Sequence, residues 1–384
     1  MIPVYRVLSV FGTRPEAIKM APLVHALKAE PSLQSIICIT GQHREMLDQV
    51  MELFELKADY DMSVMRPNQT LNGLYARLIG AFDNVLDFVQ PDCVLVHGDT
   101  STASACALAA FHRKIKVGHV EAGLRTGNLS QPFPEEMNRR VVDALADWLF
   151  APTPCARANL LQENLSGQII VTGNTVIDAL AMTCEKLRNN QELALQLQKR
   201  YDWVDSGRRL LLVTGHRRES FGAGFKNICL ALAQLAKRSD LQIVYPVHLN
   251  PHVKDVITEQ LSNVPNVHLI APLDYLDFVW FMQQAYLILT DSGGVQEEAP
   301  YLGKPVLVMR DVTERPEAVA SGTAMLVGTD PEQIIRTVSG LLDGTQDYEA
   351  FCRSINPYGD ARASERIVAA LSGRAVTEFN SGGN

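Results

Sequence analysis

Short apolar runs, rich in β-branched residues, alternate with amphipathic stretches along nearly the whole chain. That rhythm limits the fold more than any other feature. In the first half the apolar runs are Val4–Phe11, Ser35–Thr40, Cys93–His97, Lys116–Val120 and Ile169–Thr172. Ala17–Ala29, Leu71–Val89, Thr102–Phe111 and Glu136–Ala146 lie between them with helical spacing. The second half repeats the pattern with Arg209–Thr214, Gln242–Val247, Val267–Ile270, Tyr286–Leu289 and Pro305–Met309. Strands that are apolar throughout and joined by helices belong to parallel sheets covered on both faces. Two such arrays in 384 residues predict an α/β protein of two doubly wound, Rossmann-like domains facing a central cleft. The change-over is expected near Gly173, giving domains 1–173 and 174–360. The tail 361–384, with its helix-like Ala361–Ala375, is expected to cross back onto the first domain.

The charge balance narrows the partners. With 35 Lys+Arg against 43 Asp+Glu the net charge is -8. A broad surface for nucleic acid or anionic membrane needs the opposite excess. A small anionic ligand needs only a few placed cations and stays open. Seven cysteines are scattered with no C-x-x-C spacing, so neither a disulfide framework nor a zinc ribbon is expected. The opening MIPVYRVLSVFGTRPE is too short in apolar run for a secretory leader. No run approaches the ~20 apolar residues of a membrane span. A cytoplasmic setting is the expectation.

Ligands of open parallel sheets bind outside the carboxyl ends of the strands. The residues placed there are unusual. Gly12-Thr13-Arg14-Pro15-Glu16 follows the first strand and leads into a helix bearing Lys19. Gly98-Asp99-Thr100 follows the third run, and Glu121-Ala122-Gly123-Leu124-Arg125 the fourth. Glu135 and Glu136 open a helix after Pro132-Phe133-Pro134. Asp99, Glu121 and Glu135 are thereby expected to converge at one sheet edge. Turn chemistry explains any single one of these as well as a site does. Two neighbouring strands that each end in an acid are harder to explain that way, because the carboxylates repel unless something uses them. In the second half, Gly215-His216-Arg217-Arg218 follows one strand, and Thr290-Asp291-Ser292-Gly293-Gly294 opens a helix after another. Two successive glycines serve a plain cap badly and allow a phosphate to approach the free N–H groups. Glu298, one turn on, is placed for ribose hydroxyls, and Arg315 for phosphate or sugar, although Arg310–Glu317 also reads as a solvated charge run.

A dinucleotide fingerprint begins at Gly222-Ala223-Gly224, but Asn227 stands where the third glycine belongs. A nicotinamide is therefore unsupported, and no cofactor is expected. His43, His97, His119, His216 and His248 lie near strand ends without any recognised ligand spacing, so no metal is expected either.

Taken in order, FGTRPEAIKMAP, TGQHREML, VHGDT, GHVEAGLRTG, PFPEEMNR, TGNTVIDAL, VTGHRRESFG, YPVHLNP, TDSGGVQEEAP and RDVTERPEA form a series from Phe11 to Ala318. This series resembles the non-hydrolysing bacterial UDP-N-acetylglucosamine 2-epimerase family. The resemblance implies a GT-B-like fold and interconversion of UDP-N-acetylglucosamine with UDP-N-acetylmannosamine for surface polysaccharide synthesis. It also implies a homodimer and a substrate that is its own allosteric activator. It supports Asp99, Glu121, Glu135 and His216 as catalytic, without saying which acid takes the proton in which direction. Substrate binding is implied for Arg14, Lys19, Asp99, Glu121, His216, Leu273, Phe278, Ser292, Gly293, Gly294, Glu298 and Arg315. Gln42, His43, Arg66, Gln69 and His248 are implied for a second UDP-sugar site, and ordinary surface polarity explains the same five. Two departures stand out: Ala361 closes Asn356–Ala361 where the family pattern has glycine, and Leu273 stands where some relatives carry glutamine.

Carbon 2 of an aminosugar has no adjacent carbonyl to acidify its hydrogen. Elimination of UDP to a glycal, followed by re-addition, solves this and needs acid–base groups plus a clamp on the leaving diphosphate. Three other readings share parts of this set. A GT-B glycosyltransferase would transfer sugar to an acceptor, a hydrolysing epimerase would release free N-acetylmannosamine, and a non-catalytic UDP-sugar sensor would bind without turnover.

Overall fold

The computed structural model describes residues 4–41, 44–66, 68–215, 217, 221–248, 250–353 and 356–380. These divide into two compact units: one runs up to Ala181 and resumes at Tyr358, and the other spans Met182–Pro357.

The first unit is a wholly parallel sheet of β1 (Tyr5–Phe11), β2 (Leu33–Ile39), β3 (Tyr60–Asp61), β4 (Cys93–His97), β5 (Lys116–Val120), β6 (Trp148–Ala151) and β7 (Gln168–Val171). Among the described residues the order is β3-β2-β1-β4-β5-β6-β7. The chain leaves β1 to one side and returns on the other as β4, so the loops after β1 and β4 part at a topological switch point. Residues such as Leu8, Val10, Val94, Val96 and Val117 are fully buried beneath the helices, as the continuous apolar runs require.

The second unit is built the same way from β8 (Arg209–Thr214), β9 (Leu241–Pro246), β10 (Val267–Ile270), β11 (Leu287–Thr290), β12 (Val306–Val308) and β13 (Ala324–Leu326), again all parallel. Its order, β10-β9-β8-β11-β12-β13, puts a switch point between β8 and β11. Leu211, Val213, Phe225, Ile243 and Leu289 lie in its core.

Each of the ten expected apolar runs forms a strand. β3, β6 and β13 do not announce themselves in sequence. β3 and β13 have only two and three residues, and the Trp-Leu-Phe-Ala of β6 lacks the β-branched residues that mark a strand. The first helix, Arg14–Ala29, starts three residues earlier than its periodicity suggests, because a capping box begins it. The Thr13 hydroxyl accepts from the Glu16 N–H, and the Glu16 carboxylate accepts from the Thr13 N–H at 2.8 Å. Gly12 is the tight point of this turn: a Cβ there would stand 1.9 Å from Thr40 Oγ1.

Candidate functional site

In the first unit β4 and β5 end level, His97 opposite Val120, so Asp99 and Glu121 emerge on neighbouring turns. Each carboxylate is held by its own partners. Arg139 Nη2 donates to Asp99 Oδ2 at 2.5 Å, and Asn138 Nδ2 donates to the Asp99 carbonyl at 2.9 Å. Tyr75 in turn donates its hydroxyl to Asn138 Oδ1 at 2.7 Å. Glu121 is ion-paired with Lys19 and accepts from Asn174 Nδ2 at 2.8 Å. Glu121 also has a left-handed backbone, φ 70, which a residue with a Cβ adopts only under local constraint. Glu135 is half-buried and begins the helix Glu135–Leu145. One turn further on, that helix supplies Asn138 and Arg139 to Asp99.

The ground beneath these acids is also polar. Glu16 is 2 % exposed, and its carboxylate accepts from Gly12 N–H, Thr13 N–H and the Thr100 hydroxyl, a knot that joins the turns after β1 and β4. Burial raises its pKa, opposed by those hydrogen bonds. His97 closes β4 fully inside the protein, with Nε2 3.9 Å from Glu121 Oε2. Burial pushes its pKa down to about 3, against the pull of Glu121, so its ring is neutral near pH 7.

The second unit presents a different edge. Thr214 and Thr290, the last residues of β8 and β11, share a hydroxyl–hydroxyl hydrogen bond of 2.6 Å. The Thr290 hydroxyl also accepts from the Ser292 N–H, setting the turn into the helix Gly293–Glu298. Ser292 makes no side-chain cap, which leaves the first N–H groups to other acceptors. Arg315 lies over this start: a Cβ on Gly293 would be 3.7 Å from its guanidinium carbon. Arg315 Nε donates to the buried Glu297 at 2.5 Å, so the side chain is pinned rather than part of a solvated charge run. Glu298 is 6 % exposed and accepts from the Tyr275 hydroxyl at 2.7 Å. Burial, and then Glu298, push the Tyr275 pKa well up, which keeps that donor protonated. Leu273 and Phe278 are half-buried on either side of the Asp274 cap of the helix Tyr275–Gln284.

The remaining expected residues fall as follows. Arg14 is half-buried at the first position of its helix, and Lys19 lies one turn on, against Glu121. Arg66 and Gln69 join each other in the first unit through Arg66 N–H to Gln69 Oε1 at 3.3 Å. His248 is exposed in the second unit and accepts from the Asn250 N–H at 3.1 Å. Gln42, His43 and His216 lie outside the described residues. Among the described residues no group of three or more His, Cys, Asp or Glu side chains is arranged to hold a metal. None of their helices is long and apolar enough to cross a membrane.

Sequence reasoning misses Tyr75, Asn138, Arg139 and Asn174, the partners of the acids. Asn138 and Arg139 carry one usable signal, since they stand three and four residues after Glu135 and so share its helix face. Asn174 follows β7 as Asp99 follows β4, but a lone Asn after a glycine reads as a turn.

Comparison with known proteins gives one consistent result. The family model described as UDP-N-acetylglucosamine 2-epimerase matches residues 25–372. The UDP-N-acetylglucosamine 2-epimerase of Escherichia coli K12 is 54% identical over 374 residues, 97% of this chain and 100% of that protein. The crystal structure of the Neisseria meningitidis UDP-GlcNAc 2-epimerase bound to UDP-GlcNAc superposes with a TM-score of 0.89 at 51% identity, covering 96% of this chain and 100% of that one. Acinetobacter baumannii MurG, only 14% identical, shares the fold with a TM-score of 0.56 over 97% of this chain and 100% of its own.

Proposed function

The chain belongs to the UDP-N-acetylglucosamine 2-epimerase family, and from that premise we propose how its residues interconvert UDP-N-acetylglucosamine and UDP-N-acetylmannosamine. It is an isomerase, and the reaction runs by elimination and re-addition. The bond from carbon 1 to the diphosphate oxygen breaks with its electron pair on UDP. A carboxylate takes the carbon 2 proton, and its C–H pair becomes the carbon 1–carbon 2 double bond of a glycal. A proton then returns to carbon 2 from the opposite face, and UDP re-adds at carbon 1.

The observation that carries this reading is the pair of acids on adjacent strand ends, each with its own cation: Asp99 with Arg139, Glu121 with Lys19. Asp99 and Glu121 act as the principal acid–base pair, and Glu135 assists or orients. Ser292, Gly293, Gly294 and Arg315, together with His216, hold the departing diphosphate, with Arg14 and Lys19 assisting. One preorganised donor aimed at developing charge contributes roughly 3 kcal/mol. Glu298 takes the ribose hydroxyls, and Leu273 and Phe278 border the uracil.

Proton NMR of UDP-N-acetylglucosamine incubated with the protein in deuterated water, without added NAD, tests the scheme. Deuterium at carbon 2 in both epimers, with no free sugar, is the expected result. Sugar transfer to an added acceptor, free N-acetylmannosamine, or binding without exchange would each replace it with one of the alternatives.

The seven cysteines are all unpaired, which supports a reducing cytoplasmic setting where the product supplies surface polysaccharide synthesis. The chain works as a homodimer. Phe88 at 79% exposed and Phe111 at 53% offer apolar area for a partner, and light scattering that shows a monomer at working concentration would refute it. UDP-N-acetylglucosamine also activates the enzyme through Gln42, His43, Arg66, Gln69 and His248. Hyperbolic kinetics with no lag at low substrate would count against that second site.

A further inference from the structure

His119 has no part in the chemistry above, yet it sits where the three acid-bearing segments meet. Its ring is fully buried on β5, two residues before Glu121. Nε2 lies 2.8 Å from the carbonyl oxygen of Gly98, the residue before Asp99. Nδ1 lies 2.5 Å from Asp143 Oδ1, on the helix that begins with Glu135 and supplies Asn138 and Arg139 to Asp99. A carbonyl oxygen only accepts, so Nε2 must carry a hydrogen. Asp143 Oδ2 is occupied by Arg125 Nη2 at 2.7 Å and the Gly123 N–H at 3.3 Å, both donors. An ionised Asp143 leaves Nδ1 no role except donor. A ring that donates from both nitrogens is an imidazolium.

We infer that His119 is a buried imidazolium that positions Asp99 by holding the Gly98 carbonyl to the helix carrying Glu135. The charges close around it. His119 and Arg125 contribute two positive charges, and Asp143 and Glu163 two negative ones, with Arg125 reaching Glu163 through two 2.7 Å hydrogen bonds. Burial alone would raise the Asp143 pKa, but His119 and Arg125 overcome it and leave it lowered. On β4, His97 faces the same region, and the charge at His119 is one of the causes holding His97 neutral. Glu121 and Lys19 lie beyond His97. A buried charge that meets acceptors on two sides and a counter-ion on one has few alternative arrangements, which suits a joint that must hold three elements in register.

His119 touches no substrate in this scheme, so it is a positioning residue. The inference rests on the acid assignment above for its catalytic meaning only. Long-range proton–nitrogen correlation of the wild-type protein labelled in histidine reads the ring directly, with His119→Gln identifying the signal. Both His119 nitrogens are expected to carry hydrogens at neutral pH, as donation to the Gly98 carbonyl and to Asp143 requires. One bare nitrogen near pH 7 overturns the inference, whatever Asp99 proves to do.

Two variants then split the joint. His119→Gln keeps a donor near the Nε2 position, and His119→Asn keeps one near Nδ1. The Gln variant is expected to retain most of kcat, while the Asn variant loses about 10²-fold, the cost of a misplaced reacting group. KM is expected to change far less than kcat in both, since the diphosphate and uridine contacts are untouched. Equal kcat losses in the two, or losses shared with KM, overturn the positioning role. Should neither variant fold, the wild-type ring nitrogens still decide the protonation. If Asp99→Asn keeps full carbon 2 exchange, the acid assignment falls while the imidazolium result stands on its own.

Discussion

The two units share one plan and use it differently. Both are parallel sheets whose chain reverses direction of growth once, between β1 and β4 in the first and between β8 and β11 in the second. Beside the first switch point, His97 closes β4 and the turns after β4 and β5 carry Asp99 and Glu121, with Glu16 buried beneath them. At the second, the strand ends are the hydroxyls of Thr214 and Thr290, followed by a serine and two glycines. In the proposed scheme the first edge moves protons, and the second offers N–H groups and a guanidinium to a negative charge. The frame is the same, so the difference in chemistry rests on the residues at and just after the strand ends.

The sharpest way to break this contrast is to remove one function from each edge. Asp99→Asn and Glu121→Gln keep shape and lose the acid, so each is expected to lower kcat by about 10²–10⁴-fold and to slow carbon 2 exchange equally. Arg315→Lys keeps a cation beside Glu297 but loses the planar fork. It is expected to lower kcat/KM about tenfold, the worth of one charged hydrogen bond. The exchange that persists should still go with epimerisation. Wild-type exchange in both acid variants, or a larger loss from Arg315→Lys than from either, would invert the assignment of the two edges.

A second contrast lies in acid sensitivity. His97 is neutral in the fold, with a pKa near 3, against about 6.5 when exposed. Above pH 6.5 the folded and unfolded chains are both neutral at this residue, and nothing is lost. As pH falls from 6.5 toward 3, the unfolded chain binds a proton that the folded one refuses, so stability falls across that window. By about pH 4 the loss from this one group is on the order of a few kcal/mol. His97→Gln removes the titration and is expected to flatten the acid limb of a stability–pH curve between those limits. An unchanged limb would mean that the ring is protonated in the native state.

The strand ends are legible in the sequence because their signals are local. Gly98-Asp99-Thr100 after a five-residue apolar run, or Ser292-Gly293-Gly294 before a helix, can be read within one short window. What is not legible there is set by distance along the chain. Arg139 meets Asp99 across forty residues, Asn174 meets Glu121 across fifty-three, and Tyr75 meets Asn138 across sixty-three. No periodicity encodes such pairs; the sheet order brings them together. Arg315 illustrates a local signal that reads two ways. Its run of charges allows either a ligand contact or a solvated side chain, and packing against Gly293 and Glu297 fixes it. Leu273 is a local departure of another kind, because a backbone contact to the base would make its side chain irrelevant.

Leu273 therefore offers the smallest and most discriminating test of the second edge. It is half-buried directly before Asp274, whose carboxylate caps the next helix by accepting from the Asp277 N–H at 2.8 Å. Around Gly293 and Gly294 this unit already presents backbone groups, and a uracil read the same way at residues 272–274 would be indifferent to the side chain. Leu273→Gln supplies the amide that some relatives carry. The expected change in KM for UDP-N-acetylglucosamine is then well under tenfold, below about 1 kcal/mol, the net worth of one neutral hydrogen bond. A tenfold or greater drop in KM, absent when the base is changed from uracil to cytosine, would show that the side chain itself reads the base.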